Sequence, residues 1–203
     1  MNSIGINLVF EDVVSEAILD AILRQSRQSY TVQMRLGKNG FGYIKKRISN
    51  FNQAARMTPF LVLTDLDQST CPVHLIQEWL PVPQHPNLIF RIAVREVESW
   101  VMADRSAFGN FFGISCEKIP QQLDDLQDPK QFLINLVRKS KKSEIKRAIV
   151  PDPGSTAKVG KDYNAPLLKF ITQNWQAELA MEHSDSLRRT ILAIQKFKPS
   201  STF

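Results

Sequence analysis

Phe60-Leu61-Val62-Leu63-Thr64-Asp65-Leu66-Asp67 opens as an unbroken apolar run and closes on two acids one residue apart. Consecutive large apolar side chains point alternately to opposite faces of a strand, so both faces of this one must be covered. Pro59 precedes the run and Asp65-Leu66-Asp67 ends it, which makes it a short buried strand.

Working outward, Ile4–Phe10 reads as a first buried strand, followed at once by Glu11-Asp12. Ala17, Ile18, Ala21 and Ile22 then take helical spacing, with Ser15 as the expected N-cap. Residues 30–36 alternate apolar and polar side chains, as a half-exposed strand does. The glycine-rich stretch 37–42 predicts a loop, and helical spacing resumes over 43–55. Pro72 suits the first turn of a helix reaching Trp79, and Pro81, Pro83 and Pro86 enforce an extended connection. A further strand is expected at 88–94 and an amphipathic helix over 95–112. This alternation predicts an α/β, Rossmann-like, mostly parallel sheet with helices on both faces. Beyond it, helices at 129–149, 165–174 and 186–197, with a loop over 151–163, predict a helical C-terminal extension. The expected organisation is a core over 1–112 and an extension over 113–203 packed on it as one unit, with a frayed tail at 199–203.

Acids follow three of the predicted strands: Glu11 and Asp12, Asp65 and Asp67, Glu96 and Glu98. In an open parallel sheet the carboxyl ends share one edge, where the ligand crevice lies, so these groups are expected to meet. Gathered carboxylates repel one another and call for a cation, and hard oxygen donors point to Mg²⁺ or Mn²⁺ on Asp65, Asp67, Glu96 and Glu98. The plainer role for Asp12 or Asp67 is capping the next helix.

These residues resemble the TOPRIM domain shared by topoisomerases, bacterial primases, recombination-mediator proteins, small maturation ribonucleases and nucleases of the overcoming-lysogenization-defect type. That domain has an acid after its first strand and an Asp-x-Asp at the end of a later one. The segments 60–67, 93–100 and 153–160 resemble more closely an uncharacterised bacterial family with TOPRIM-like features. The resemblance implies a metal-binding or general-base role for Glu11 and metal-binding roles for Asp65 and Asp67. It also implies an association with bacterial phage defence. Where TOPRIM domains usually carry a glycine after the glutamate, this chain has Asp12. Tyr30, Tyr43 and Tyr163 lack the separate domain that a strand-cleaving topoisomerase tyrosine requires.

The net charge of +6 favours polyanionic partners. Arg138-Lys139-Ser140-Lys141-Lys142, with Lys146 and Arg147, is the densest basic stretch, and Lys45 and Lys46 come after the glycine loop with its Lys38. Such groups bind phosphate backbones or form a solvated helix face. Lys158, in the 151–163 loop, is a candidate to stabilise charge on a transferring phosphoryl group. No Gly-Lys-Ser/Thr closes 37–42, so a Walker motif is excluded. His74, His85 and His183 are expected to be structural, and Trp79, Trp100 and Trp175 to lie in the core.

Two cysteines, Cys71 and Cys116, make no disulfide framework, and the start lacks a secretory signal, so a cytoplasmic setting is expected. No apolar run approaches the roughly 18 residues of a membrane helix. The expected function is a Mg²⁺-dependent nuclease acting on DNA or RNA, with nucleic acid as partner and a homodimer allowed. The alternatives are a non-catalytic module that binds nucleic acid or an ATPase, and a receiver-like phosphoacceptor. The receiver reading is disfavoured by Arg95-Glu96 at the strand end where a hydroxyl residue belongs.

Overall fold

The computed structural model describes residues 3–37 and 40–200. Its centre is a sheet of β1 (Ile4–Phe10), β2 (Tyr30–Gly37), β3 (Phe60–Asp65) and β4 (Leu88–Ala93), in the order β2-β1-β3-β4. Every neighbouring pair is parallel. The register sets Val9 of β1 beside Val62 of β3, and Asp65 of β3 beside Ala93 of β4. All four strands therefore end at one edge, and the residues next in the chain after β1, β3 and β4 are delivered there.

Strand alternation divides the core into two layers. Ile6, Leu8 and Phe10 of β1, with Leu61 and Leu63 of β3, join one apolar cluster; Val9, Phe60 and Val62 join the other. The second cluster is covered by α2 (Gly40–Ala54) through Ile44 and Ile48, and by α3 (Pro72–Trp79) through Leu75 and Trp79. The first is covered by α1 (Val13–Gln25), α4 (Glu98–Ala103) and α5 (Arg105–Phe112). It extends without a break into α6 (Pro129–Val137), α7 (Ser143–Ile149), α8 (Asn164–Gln173), α9 (Ala177–Ala180) and α10 (Asp185–Lys196). The fold is thus the expected doubly wound α/β arrangement with a helical extension, and Trp100, Phe108, Phe170 and Ile191 share one core.

Several local expectations change. The helix expected over 95–112 is broken, because Asp104 leaves helical geometry (ψ 73°). Its Oδ1 accepts from Ala107 N to start α5, while Oδ2 accepts from Gln176 N at 2.9 Å. The helix expected over 129–149 is two helices. Between them Lys141 N donates to Gly113 O, and the Ser140 hydroxyl donates to Phe112 O, so the segment bends back to cover the end of α5. The helix after the glycines starts at Gly40, earlier than the expected loop allows; Lys38 and Asn39 lie outside the described residues. Asp12, not Ser15, caps α1, its Oδ1 accepting from Ser15 N at 2.8 Å. The tail is pinned as far as Ser200, which exchanges two hydrogen bonds with Asn87. Residues 201–203 lie outside the described residues.

Candidate active site at the carboxyl edge of the sheet

A hydrogen-bonded path runs along the edge from β1 to β4. Glu11 comes directly after β1, and its Oε1 accepts from the main-chain N of Asp65 at 2.8 Å and from the Thr64 hydroxyl. Asp65 ends β3, and its Oδ1 accepts from Val97 N at 2.9 Å in the turn after β4. Glu96 Oε2 accepts from Lys130 N at 2.8 Å, at the start of α6. Glu98, the first residue of α4, accepts from the Tyr163 hydroxyl at 3.0 Å. The acids written after these strands thus stand along one edge, each held by a different donor. β3 stops at Asp65, so Asp67 lies beyond the strand and its alternation does not carry over to it.

The chain turns there through the left-handed region. Asp67 has φ 49° and Arg95 φ 63°, a conformation costing a side-chain-bearing residue about 1–2 kcal/mol. The two are tied to each other: Asp67 N donates to Arg95 O at 2.9 Å, and the Arg95 guanidinium donates to Asp67 O at 3.0 Å. Strain of this kind tends to persist where the backbone serves a site. A crevice of about 530 Å³ lined by Lys45, Asp65, Asp67, Ser69 and Trp79 opens on one side of Asp67. A smaller one, of about 80 Å³, lies between Asp67, Arg95, Glu96 and Asp128.

Burial holds the carboxyls of Asp65, Glu98, Glu11 and Asp67 above their ordinary range. Burial raises Asp65 well above its usual value, reinforced by Glu98, Glu11, Asp12 and Asp67. Burial pushes Glu98 up to about 7, with Lys130 opposing the rise and Glu96 and Asp12 adding to it. Glu11 is raised by burial against the hydrogen bonds from Thr64 and Asp65, and Asp67 by burial against Lys130.

Lys130 is what sequence reasoning missed. Its ammonium lies 3.3 Å from Glu98 Oε1 and 3.8 Å from Glu96 Oε1. Burial works against the charge, but Glu98, Glu96 and Asp65 outweigh it and hold the ammonium above the usual lysine range. A faint signal was present: a lysine just after Pro129 stands in the first turn of a helix, where the dipole disfavours cations. Tyr163, whose hydroxyl completes the hold on Glu98, stands in no local motif that marks it for this role.

The donor chemistry suits a hard divalent ion, and Glu98 Oε2 is a buried carboxylate oxygen with no hydrogen-bond partner among the described residues. Among the described residues, however, no three acid, imidazole or thiol groups already close around one point. The path through Thr64, Val97 and Lys130 aims the carboxylates at different donors.

The basic candidates divide. Lys45 is engaged with Glu78 at 2.7 Å and lies over the Trp79 ring. Lys46 is exposed on α2. The Arg138 guanidinium donates to Asn135 at the end of α6. The Lys142 ammonium donates to the Asn110 and Phe111 carbonyls at the end of α5, where cations suit the dipole. Lys141, Lys142 and Lys169 line a pocket of about 700 Å³ beside Phe111. Lys158 is exposed on the 151–163 loop, and no hydrogen bond joins it to the acidic edge among the described residues. That loop is anchored at its far end: Gly160 N donates to Ile149 O, and a Cβ on Gly160 would stand 2.2 Å from Ala148 O.

Fold and edge together define a class: a Rossmann-like α/β domain, of the kind the TOPRIM resemblance implies, with a carboxylate-lined crevice at its strand ends. No family model, curated protein or solved structure matches the chain. Among the described residues no helix is long and apolar enough to cross a membrane.

Proposed function

We propose that the protein is a divalent-metal-dependent phosphodiesterase acting on DNA or RNA. The observation that carries this reading is the placing of Glu11, Asp65, Asp67, Glu96 and Glu98 along one edge, with Glu98 Oε2 buried and, among the described residues, without a hydrogen-bond partner. Oxygen donors of this charge density suit Mg²⁺ or Mn²⁺. An ion bound there would lower the pKa of a water molecule and neutralise charge on the phosphate. Glu11, raised by burial, is suited to take the proton of that water. The water oxygen then bonds to phosphorus, the ester P–O bond breaks, and the leaving oxygen takes a proton from solvent. Lys141, Lys142 and Lys158 would hold neighbouring phosphates, with an affinity that falls with salt.

Replacing Asp65 and Asp67 together by alanine tests the reading. The folded double variant is expected to lose Mg²⁺-dependent cleavage of single- and double-stranded substrates; unchanged cleavage would sink it. A second reading, a non-catalytic module binding nucleic acid or a partner ATPase, is favoured by the Lys130 ammonium standing among the acids. Calorimetry separates the two, since such a module would take up no Mn²⁺. Either form accords with a cytoplasmic setting, given the free thiols of Cys71 and Cys116, and the TOPRIM resemblance extends both to phage defence.

A further inference from the structure

The outer side of β4 carries a concavity that shares no residue with the two crevices at the acidic edge. It holds about 420 Å³ and is lined by Val73 and Ile76 of α3, by Arg91 and Ile92 of β4, and by the start of α10. β4 ends the sheet order, and Leu66 N donates to Ala93 O, so the main-chain groups of Phe90 and Ile92 point away from β3 to this side. Arg91 is half-buried, and its Nε donates to the Thr190 hydroxyl at 3.3 Å. Among the described residues its two terminal nitrogens take no hydrogen bond and no carboxylate pairs with it. Burial and the neighbouring Arg189 guanidinium both disfavour its charge. The acids of the lining are engaged elsewhere, Asp185 with Arg188 and Arg189, and Asp124 with Ser184 and Ser186. Arg189 is therefore already paired, and Arg91 is the cation of this lining left without a counter-charge.

A half-buried guanidinium with open donors calls for an anion. Small-molecule sites are concavities of roughly 300–1,000 Å³ with apolar walls and a few placed polar groups, and this one fits that description. Its aliphatic wall is open to a ligand, since Val73 is 63% exposed. A planar carboxylate accepts two parallel N–H bonds from a guanidinium, and its single charge matches the single unpaired cation. A phosphate dianion would bring more negative charge beside Asp124 and Asp185 than Arg91 offsets. We propose that this pocket binds a small apolar monocarboxylate, its head on Arg91 and its hydrocarbon body against Val73 and Ile76. The site stands apart from the acidic edge, and its occupancy does not depend on the phosphodiesterase reading.

Calorimetric titration with phenylacetate, acetate and 2-phenylacetamide tests head and body separately. Phenylacetate is expected to bind at least about tenfold more tightly than acetate, which lacks the body, and than the amide, which lacks the charge. Arg91→Met keeps an apolar stem and removes the guanidinium. It is expected to weaken phenylacetate more than about tenfold and to melt no earlier than the wild type, because an uncompensated charge is gone. Val73→Trp, at an exposed position, fills the concavity and is expected to weaken phenylacetate more than about threefold. A wild type that binds phenylacetate more weakly than about 10 mM overturns the proposal, as does equal binding of acetate or of the amide. Affinity unchanged in Arg91→Met or in Val73→Trp places the ligand elsewhere and also overturns it. Phenyl phosphate binding more tightly than phenylacetate overturns the carboxylate assignment. If Arg91→Met does not fold, Val73→Trp and the amide comparison decide the outcome.

Discussion

The Tyr163 hydroxyl donates to Glu98 Oε1 at 3.0 Å, joining the end of the 151–163 loop to the start of α4, just past the turn after β4. Both residues are buried, so this bond is made away from water, where a hydrogen bond to a carboxylate is stronger than at the surface. Tyr163→Phe keeps the ring and removes the donor. It is expected to lower stability by about 1.5–3 kcal/mol in urea unfolding and to speed amide exchange over the loop. A variant as stable as the wild type would show that the bond does not hold the loop.

Asp65 should be a site where stability is sacrificed to function. Burial and four neighbouring carboxylates disfavour its charge, while its Oδ1 serves Val97 N. Asp65→Asn leaves an oxygen for Val97 and removes the charge. The metal-free variant is expected to be more stable than the wild type by about 1–2 kcal/mol and to lose Mn²⁺ binding. A destabilised variant would mean that the carboxylate is a structural element of the turn.

Asn7 stands at the middle of β1, fully buried, with neither side-chain amide atom hydrogen-bonded among the described residues. Asn7→Val exchanges an unsatisfied amide for a β-branched apolar side chain in a sheet interior. It is expected to raise stability by about 1–3 kcal/mol. Urea unfolding that shows a loss would place an unrecognised polar partner at this position.

The alkaline limit of the fold should depend on Tyr30. Its hydroxyl donates to Ile194 O, and burial pushes the phenol up to about 12 from an ordinary 10.0. The folded pKa is the higher one, so the fold favours the neutral phenol. That contribution is complete below about pH 10 and is lost as pH rises through about 12. Stability of the wild type is expected to fall across this window, and Tyr30→Phe to flatten the fall. Identical slopes in the two proteins would assign the alkaline loss to other groups.

The acidic edge was legible because its logic is local. An apolar run marks a buried strand, alternation with helices makes neighbouring strands parallel, and parallel strands end together, so acids written after them share one edge. The break of the expected 95–112 helix was not legible, since Asp104 reads as an ordinary polar helical residue until Gln176, far along the chain, donates to it. Lys130 was hidden in the same way. Only the packing of α6 against α4 carries its ammonium to Glu96 and Glu98.

By itself the sequence determined the layered α/β architecture, the edge at which the acids gather and the buried faces of the helices. Each is a consequence of the period of apolar residues and the handful of short connections that such periods allow. Tertiary structure alone decided how those acids are held: Glu11 by β3, Asp65 by the turn after β4, and Glu98 between Tyr163 and Lys130. Those contacts join residues far apart in the chain, and their geometry is set by how the layers pack, which no local spacing records.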